Sequence, residues 1–422
     1  MKQARPVSCS LLLILVVTFT LGACAVTPYR YEPLDTFDVI ERAQTKQEGA
    51  FQVRASVPGE NEAAKIFGIP IYKRGIQPVW LEITNNSDHR ARLTLSSIDR
   101  EYFSPHEVAY MHKKLFSKQG WQDMEDYFYR IAIPRQIPPN ETVSGFVFTH
   151  LDQGTKAFNV EIFYTDSNLA QDLQRKDLSE RFTFFITVPG FVPDHAEVDF
   201  QTLYPAETVQ DVTEAGLRTL LETLPCCTTD SDGSRQGQPV TVFLVAKGIS
   251  LLKALLQAGW VETSFERNED YLNAADHYFG RPPDTIFRKG RDKTTERIEI
   301  GLWLAPVRVD GKGLWVAQLK HAIGRRYELG ELFLGVKLDP DANDSRNYLL
   351  QNIWYSQSLQ AFAWSRSGKL VPESEPEFDF IGNPWFSDGF RLVMWISDQT
   401  IALTETESLR WDSIVDAGGE LP

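Results

Sequence analysis

The sequence predicts a mainly β chain in two parts, an N-terminal antiparallel β-sandwich followed by a compact α+β domain. Three observations carry this reading. Short alternating runs punctuated by turn residues recur between about residues 56 and 190. After residue 214, helical and strand periodicities take turns. Between the two lie Pro189-Gly190 and a connector, residues 191–213. A chain of 422 residues with 42% hydrophobic side chains is long enough for more than one core.

The elements of the first part follow in order. Residues 24–55 read as a polar tether, with Pro28, Pro33 and no sustained periodicity. Val79–Thr84 alternates apolar with other residues, Asn85-Asn86-Ser87-Asp88 turns the chain, and Ala91–Ile98 alternates again at hairpin distance. Further strands are predicted at Thr142–Thr149, Ala157–Tyr164 and Arg181–Val188. A helix over Pro105–Lys118 interrupts them, followed by the aromatics Trp121, Tyr127, Phe128 and Tyr129. Such aromatics usually pack in a core, but Trp121, Tyr127 and Tyr129 form a binding face if they are exposed together. The strand pattern around Trp80 to Ile98 is similar to that of immunoglobulin-like domains of secreted bacterial proteins. That likeness is architectural, with no cysteine pair behind it.

The second domain is predicted over residues 214–369. Val212–Leu224 has leucines on one helical stripe and stops at Pro225. Val240–Ala246 is an apolar strand, and Ile249–Ala258 is a helix ended by Gly259. Arg297–Ala305 places Ile298, Ile300, Leu302 and Leu304 on one strand face, and Asp310-Gly311 turns it into Leu314–Lys320. Phe333–Leu338 reads as a strand. Asp341 or Asp344 then caps a helix through Ser356 with Leu349, Leu350, Ile353 and Trp354 inward, and Ala361–Ser365 returns to the sheet. Residues 370–422 read as a C-terminal extension.

The N-terminus carries an export signal. Lys2 and Arg5 precede the apolar run Leu11–Leu21, whose 11 residues fall short of the ~20 a spanning helix needs. The run ends in Leu21-Gly22-Ala23-Cys24, and here the chain resembles bacterial lipoprotein precursors. The resemblance implies removal of residues 1–23, diacylglycerol on the Cys24 thiol and an acylated Cys24 amine. Two or three acyl chains anchor firmly where one does not. Ala25, which is not Asp, implies the periplasmic face of the outer membrane in a Gram-negative host. The expected partners are therefore the membrane, through Cys24, and a membrane or envelope protein. The chain carries 43 Lys and Arg against 57 Asp and Glu, a net charge of −14, which becomes −16 once Lys2 and Arg5 leave. That balance argues against nucleic acid as a partner. Cys9 leaves with the signal, so Cys226 and Cys227 are the remaining pair, and no long-range disulfide is available.

Residues from about 215 to 366 resemble the C-terminal domain of LssY-type proteins. The words that carry the resemblance are Leu224-Pro225-Cys226-Cys227-Thr228-Thr229, Pro239-Val240, Ala258-Gly259-Trp260, Leu302-Trp303-Leu304-Ala305-Pro306, Trp315-Val316 and Asp339-Pro340-Asp341. That domain occurs appended to membrane proteins of the lipid-phosphatase and DedA kinds, which implies work at a membrane and assigns no reaction. The chain departs from the family pattern at Arg297-Ile298-Glu299, where relatives tend to show Arg-His-His, and at Lys337, where a His usually stands. If those histidines bind metal or move protons, the departures reduce that capacity here.

Several side-chain groups invite chemistry. Cys226 and Cys227 could form a vicinal disulfide, a redox pair or part of a soft-metal site. A metal site needs more ligands than these two provide, so a structural role is the simpler reading. Asp230-Ser231-Asp232-Gly233 looks like the start of a calcium loop, but position 241 is Thr, not the Glu such a loop needs. Asp276-His277 and His321 are acid–base candidates, with Arg325 and Arg326 as anion clamps. Asp339, Asp341 and Asp344 could hold a cation, or simply cap a helix. No nucleophile elbow, phosphate loop, zincin or dinucleotide motif is present, and no cofactor is implied. The expected function is binding or scaffolding by a membrane-anchored envelope lipoprotein. The alternative is hydrolysis of a phosphorylated or lipid-linked substrate through His277, His321, Asp339, Asp341 and Asp344.

Overall fold

The structure is a computed structural model that describes residues 28–164, 178–264, 271–292, 296–325 and 336–412. Residues 1–23, expected to be an export signal, and Cys24 lie outside the described residues. The chain divides into two compact units. The first runs through Leu151 and takes in Asn159–Phe184, and the second takes in Asp152–Phe158 and the chain from Phe185. No helix among the described residues is long and apolar enough to cross a membrane.

The first unit contains two four-stranded sheets. Strands β1 (Gln44–Glu48) and β2 (Phe51–Ser56) form a hairpin, which continues through β3 (Ile76–Asn85) and, across β4 (Ala91–Thr94) and β5 (Gln136–Ile137) in the other sheet, to β6 (Glu141–His150). The order in the first sheet is β1-β2-β3-β6, and in the second β5-β4-β7-β8, with β7 at Thr155–Tyr164 and β8 at Leu178–Thr187. Phe51 of β2 meets Tyr164 of β7, with ring centroids 5.2 Å apart. Three helices pack against the first sheet: α1 (Glu60–Ile66), α2 (Pro105–His112) and α3 (Lys118–Ile131). Ala63, Ile66, Val108, Met124 and Phe128 join Trp80, Phe146 and Phe148 in one apolar cluster. Strand β3 is therefore covered on both faces, which its nearly continuous burial reflects.

Three expectations for this unit are corrected. The tether does not reach residue 55, because residues 44–56 are paired strands. Ala91–Ile98 does not form a hairpin with Val79–Thr84. Its strand stops at Thr94 and pairs with β5 and β7 of the other sheet. Asn85 explains the crossing. Its side-chain oxygen accepts from the Ser87 amide at 3.0 Å, and its amide donates to the His89 carbonyl at 2.8 Å, folding the segment into a local loop. The helix expected over Pro105–Lys118 is two helices. α2 begins at a capping box of Ser104 and Glu107 and ends at His112, and Ser117 caps α3.

The second unit is built on one ten-stranded mixed sheet. Its strands are β9 (Gln210–Val212), β12 (Val242–Ala246), β13 (Val261–Glu262), β14 (Thr285–Asp292), β15 (Glu296–Val309), β16 (Lys312–Arg325), β17 (Val336–Leu338), β18 (Leu359–Ser365), β23 (Arg391–Ile396) and β24 (Glu407–Leu409). Short pairs complete the count: β10 (Cys227–Thr229) with β11 (Gln236–Pro239), β19 (Leu370–Val371) with β22 (Ser387–Asp388), and β20 (Glu377–Phe378) with β21 (Pro384–Trp385). The main order is β13-β14-β15-β16-β12-β23-β18-β24. The long hairpin β15–β16 turns at Asp310-Gly311, both with positive φ (47° and 77°), the type I′ geometry that suits strand twist. Its register shifts between Leu304 and Arg308, around Pro306, which has no amide to donate to the ladder.

Helices cover both faces of this sheet. α5 (Gly248–Gln257) and α6 (Ala342–Tyr355) bury Leu251, Leu255, Leu349 and Ile353 against Ile298, Ile300, Leu302 and Met394. α4 (Glu214–Leu221) buries Leu217 and Leu221 on the other face, against Trp303, Ala305 and Val393. Residues 191–213 are not a free connector. Asp194 is 1% exposed and its carboxylate accepts from Thr263, Thr285 and the Ile286 amide, while β9 pairs with β15. Residues 370–422 are not an appended extension either. β23 is wholly buried and parallel to β12 in the middle of the sheet. The first part of the expected strand Phe333–Leu338 lies outside the described residues.

Candidate functional site

An apolar cavity of about 370 Å³ opens beneath α5 in the second unit. Leu251 and Leu255 of α5, Phe287 of β14, Leu302 of β15, Trp315 of β16 and Phe200 line it. These residues belong to the apolar cluster on that face of the sheet, and the exposed Lys247 and Ile249 stand at its mouth, so the cavity opens from the core to the surface. Gly313 helps keep it open, since a Cβ there would sit 3.1 Å from Leu304 Cδ1. Phe200 stands edge-on to Trp315 at 5.3 Å. Its volume falls at the lower end of the ~300–1,000 Å³ usual for small-molecule sites.

Few polar side chains line this space, and buried polar atoms near it lack partners among the described residues. The indole Nε1 of Trp315 is buried without a hydrogen-bond partner among the described residues, a costly state for a donor. His195 also lines the cavity, and its Nδ1 lies 3.5 Å from Glu262 Oε1. That approach is within ion-pair range, yet neither atom has a hydrogen bond among the described residues. Glu262 is fully buried, and burial pushes its carboxyl above the usual carboxylate range. Its hydrogen bonds with Thr155 and the proximity of His195 pull the other way. The cavity thus combines an apolar body with an imidazole and a buried carboxyl behind it.

The predicted catalytic residues are only partly gathered. His321 of β16, Asp339 after β17 and Asp344 in the first turn of α6 place their ligating atoms within 4.8 Å of one another. His321 Nδ1 lies 3.4 Å from Asp339 Oδ2. Asp341 is apart from this chemistry: it is the N-cap of α6, and its Oδ1 accepts from the Asn343 amide at 2.8 Å. His277 is also elsewhere. Its backbone bridges Thr229, and its neighbour Asp276 pairs with Lys320. Strand alternation points Lys320 and His321 to opposite faces of the sheet, so His277 does not join His321. The set of five expected for hydrolysis is therefore not assembled around one pocket.

The other candidates resolve simply. Cys226 and Cys227 are joined as a disulfide that packs against Val371 and Trp385. Asp230 accepts from Arg235 Nε at 2.7 Å and from the Arg235 amide at 3.1 Å, so its carboxylate closes a turn. Arg235 also holds that carboxyl well below the usual carboxylate range, the backbone hydrogen bond acting first. Tyr127 is buried and Trp121 half-buried, and of the three aromatics only Tyr129 is exposed, so they make no common face. Arg326 lies outside the described residues. The cavity itself had no sequence signal. It is assembled from segments far apart in the chain, and Glu262 reads as one acid among 57.

The family model for the LssY C-terminus matches residues 273–390. The chain therefore carries an LssY C-terminal-like domain, running from the loop before β14 through β22. It extends past residue 366, and the words at residues 224–260 lie ahead of it. Leu302, Trp315, Phe287, His321, Asp339 and Asp344 fall inside the match, whereas α5, His195 and Glu262 precede it. No curated protein matches the chain.

Proposed function

We propose that this chain is an envelope lipoprotein whose second unit binds an amphiphilic ligand, an acyl chain with a small polar head. The observation that supports this reading is the apolar cavity beneath α5, lined by Leu251, Leu255, Phe287, Leu302 and Trp315 with His195 as its titratable side chain. Apolar burial of a chain in such a space removes both surfaces from water, at roughly 25 cal/mol per Å². The polar head would face His195, which lines the cavity.

The tether is consistent with such work. Leu21-Gly22-Ala23-Cys24 is the lipoprotein signature, and acyl chains on Cys24 keep the domain at a membrane surface where amphiphiles are supplied. A membrane or envelope protein that delivers or receives the ligand is the natural partner. Cys24→Ala abolishes lipid labelling and releases the chain from membranes; retained labelling overturns the anchor.

The binding claim is tested with the full-length chain in a mild detergent, held equal in every arm, using displacement of a fluorescent fatty acid. Leu252→Trp places a large side chain at the half-buried rim and is expected to weaken binding at least about tenfold, or ~1.4 kcal/mol. Its thermal unfolding stays near that of the parent. Absence of saturable binding by the parent chain refutes the reading.

A further inference from the structure

We propose that His321, Asp339 and Asp344 form a binding site for one divalent transition-metal ion, separate from the apolar cavity. Among the described residues these three are a group whose ligating atoms come within 4.8 Å of one another. An ion held at ~2.0–2.2 Å from imidazole nitrogen and carboxylate oxygen needs donors about 3–3.5 Å apart. His321 Nδ1 and Asp339 Oδ2, at 3.4 Å, already meet that spacing. Asp344 is exposed, so its carboxylate closes the remaining gap by a rotamer change.

A second observation points to a ligand here. His321 Nδ1 is a buried atom without a hydrogen-bond partner among the described residues. A nitrogen left in that state gains from a metal ion more than a solvated one does. Two of the three ligands are also fixed to each other through the backbone, since the Asp339 amide donates to the His321 carbonyl at 2.8 Å. Asp339 Oδ1 accepts from the Asp341 amide at 3.0 Å, which leaves Oδ2 facing the histidine.

Two cations of the adjoining pocket have other partners among the described residues. Lys289 lines the adjoining pocket, but its ammonium bonds the Ala258 carbonyl and Asn352. Arg297 is turned to Glu299 at 2.6 Å. One imidazole and two carboxylates suit Zn²⁺, Mn²⁺ or Fe²⁺ better than Ca²⁺, which takes six to eight oxygens. Three protein ligands leave positions for water.

The probe is the metal alone. Full-length protein stripped with a chelator and titrated calorimetrically with Zn²⁺, then separately with Mn²⁺, is expected to bind one equivalent of at least one of them. His321→Ala and Asp344→Asn each weaken that binding at least tenfold. Asp341→Asn, which keeps the helix cap, leaves it unchanged. Asp344 is exposed, so its variant folds and keeps the test valid even where His321→Ala does not. No saturable binding, or binding that Asp344→Asn leaves intact, overturns the proposal.

Discussion

Lys320 and Asp276 meet as an ion pair whose side chains are 1% and 0% exposed. The pair anchors the loop ahead of β14 to the sheet. Lys320 Nζ also donates to the Leu272 carbonyl at 2.9 Å, and Thr228 Oγ1 donates to Asp276 Oδ1 at 2.6 Å. Gln318 Nε2 donates in turn to Thr228 Oγ1 at 2.8 Å. Directly opposite Lys320 in register stands Glu299, which accepts from Arg297 and from the Leu272 amide. Such a network holds only when each member is satisfied.

Lys320→Met leaves the Asp276 carboxylate buried without its cation and is expected to cost about 3–5 kcal/mol. Lys320→Met combined with Asp276→Leu recovers most of that loss, because no charge is then stranded. Denaturant unfolding of the single and double variants measures both. A single variant that loses under about 1 kcal/mol contradicts the buried pair.

Glu262 makes stability fall as pH rises. Its folded carboxyl is held above the unfolded value by burial, so the native state keeps a proton that the unfolded chain has already released. Below the unfolded value both states are protonated and there is no penalty. Above it the cost grows until the folded carboxyl ionises, and then persists. Glu262→Gln therefore raises the melting temperature at pH 7 and changes it less at pH 4. Melting curves across that range decide the matter, and a variant that loses more at pH 7 than at pH 4 reverses the sign argued here.

The Cys226–Cys227 disulfide is structural and closes almost no loop, so it constrains the unfolded chain little. Replacing both residues by Ala is expected to cost about 1–2 kcal/mol, chiefly from lost packing against Val371 and Trp385. A long-range native disulfide would cost ~2–5 kcal/mol. After mild reduction, Cys226 reacts with iodoacetamide before Cys227, which is 4% exposed. Equal labelling rates in the folded chain go against that difference in burial.

Elements whose own residues carry the pattern were legible in the sequence. Ile298, Ile300 and Leu302 do share a buried face, Asp310-Gly311 does turn the hairpin, and Asp341 does cap the helix that buries Leu349 and Ile353. Trp354, expected inward, is 36% exposed. Gly259, at φ 79°, follows the end of α5 with the left-handed geometry that favours glycine.

What escaped sequence reading depends on partners elsewhere in the chain. Gln44–Glu48 is polar on both sides and exposed throughout, as an edge strand can be, so no periodicity marks it. After Arg391, β23 is apolar without alternation through residues 392–396 because both its faces are covered. Only its pairing with β12 shows that it belongs to the middle of the sheet. The cavity beneath α5 and the His321–Asp339–Asp344 group are tertiary constructions of the same kind. His321 and Asp339 stood out by residue type, but Asp341 and His277 did so equally. Only the sheet's alternation and the helix cap separate them.

The central claim is that the space lined by Leu251, Phe287, Leu302 and Trp315 holds an amphiphile. The most direct measurement is mass spectrometry of material extracted from the purified full-length chain by organic solvent, which leaves anything covalently attached to the chain behind. The account predicts an extractable acyl-chain compound near one per chain, depleted in Leu252→Trp. Recovery of no such compound from the parent chain, or equal recovery from both, contradicts it.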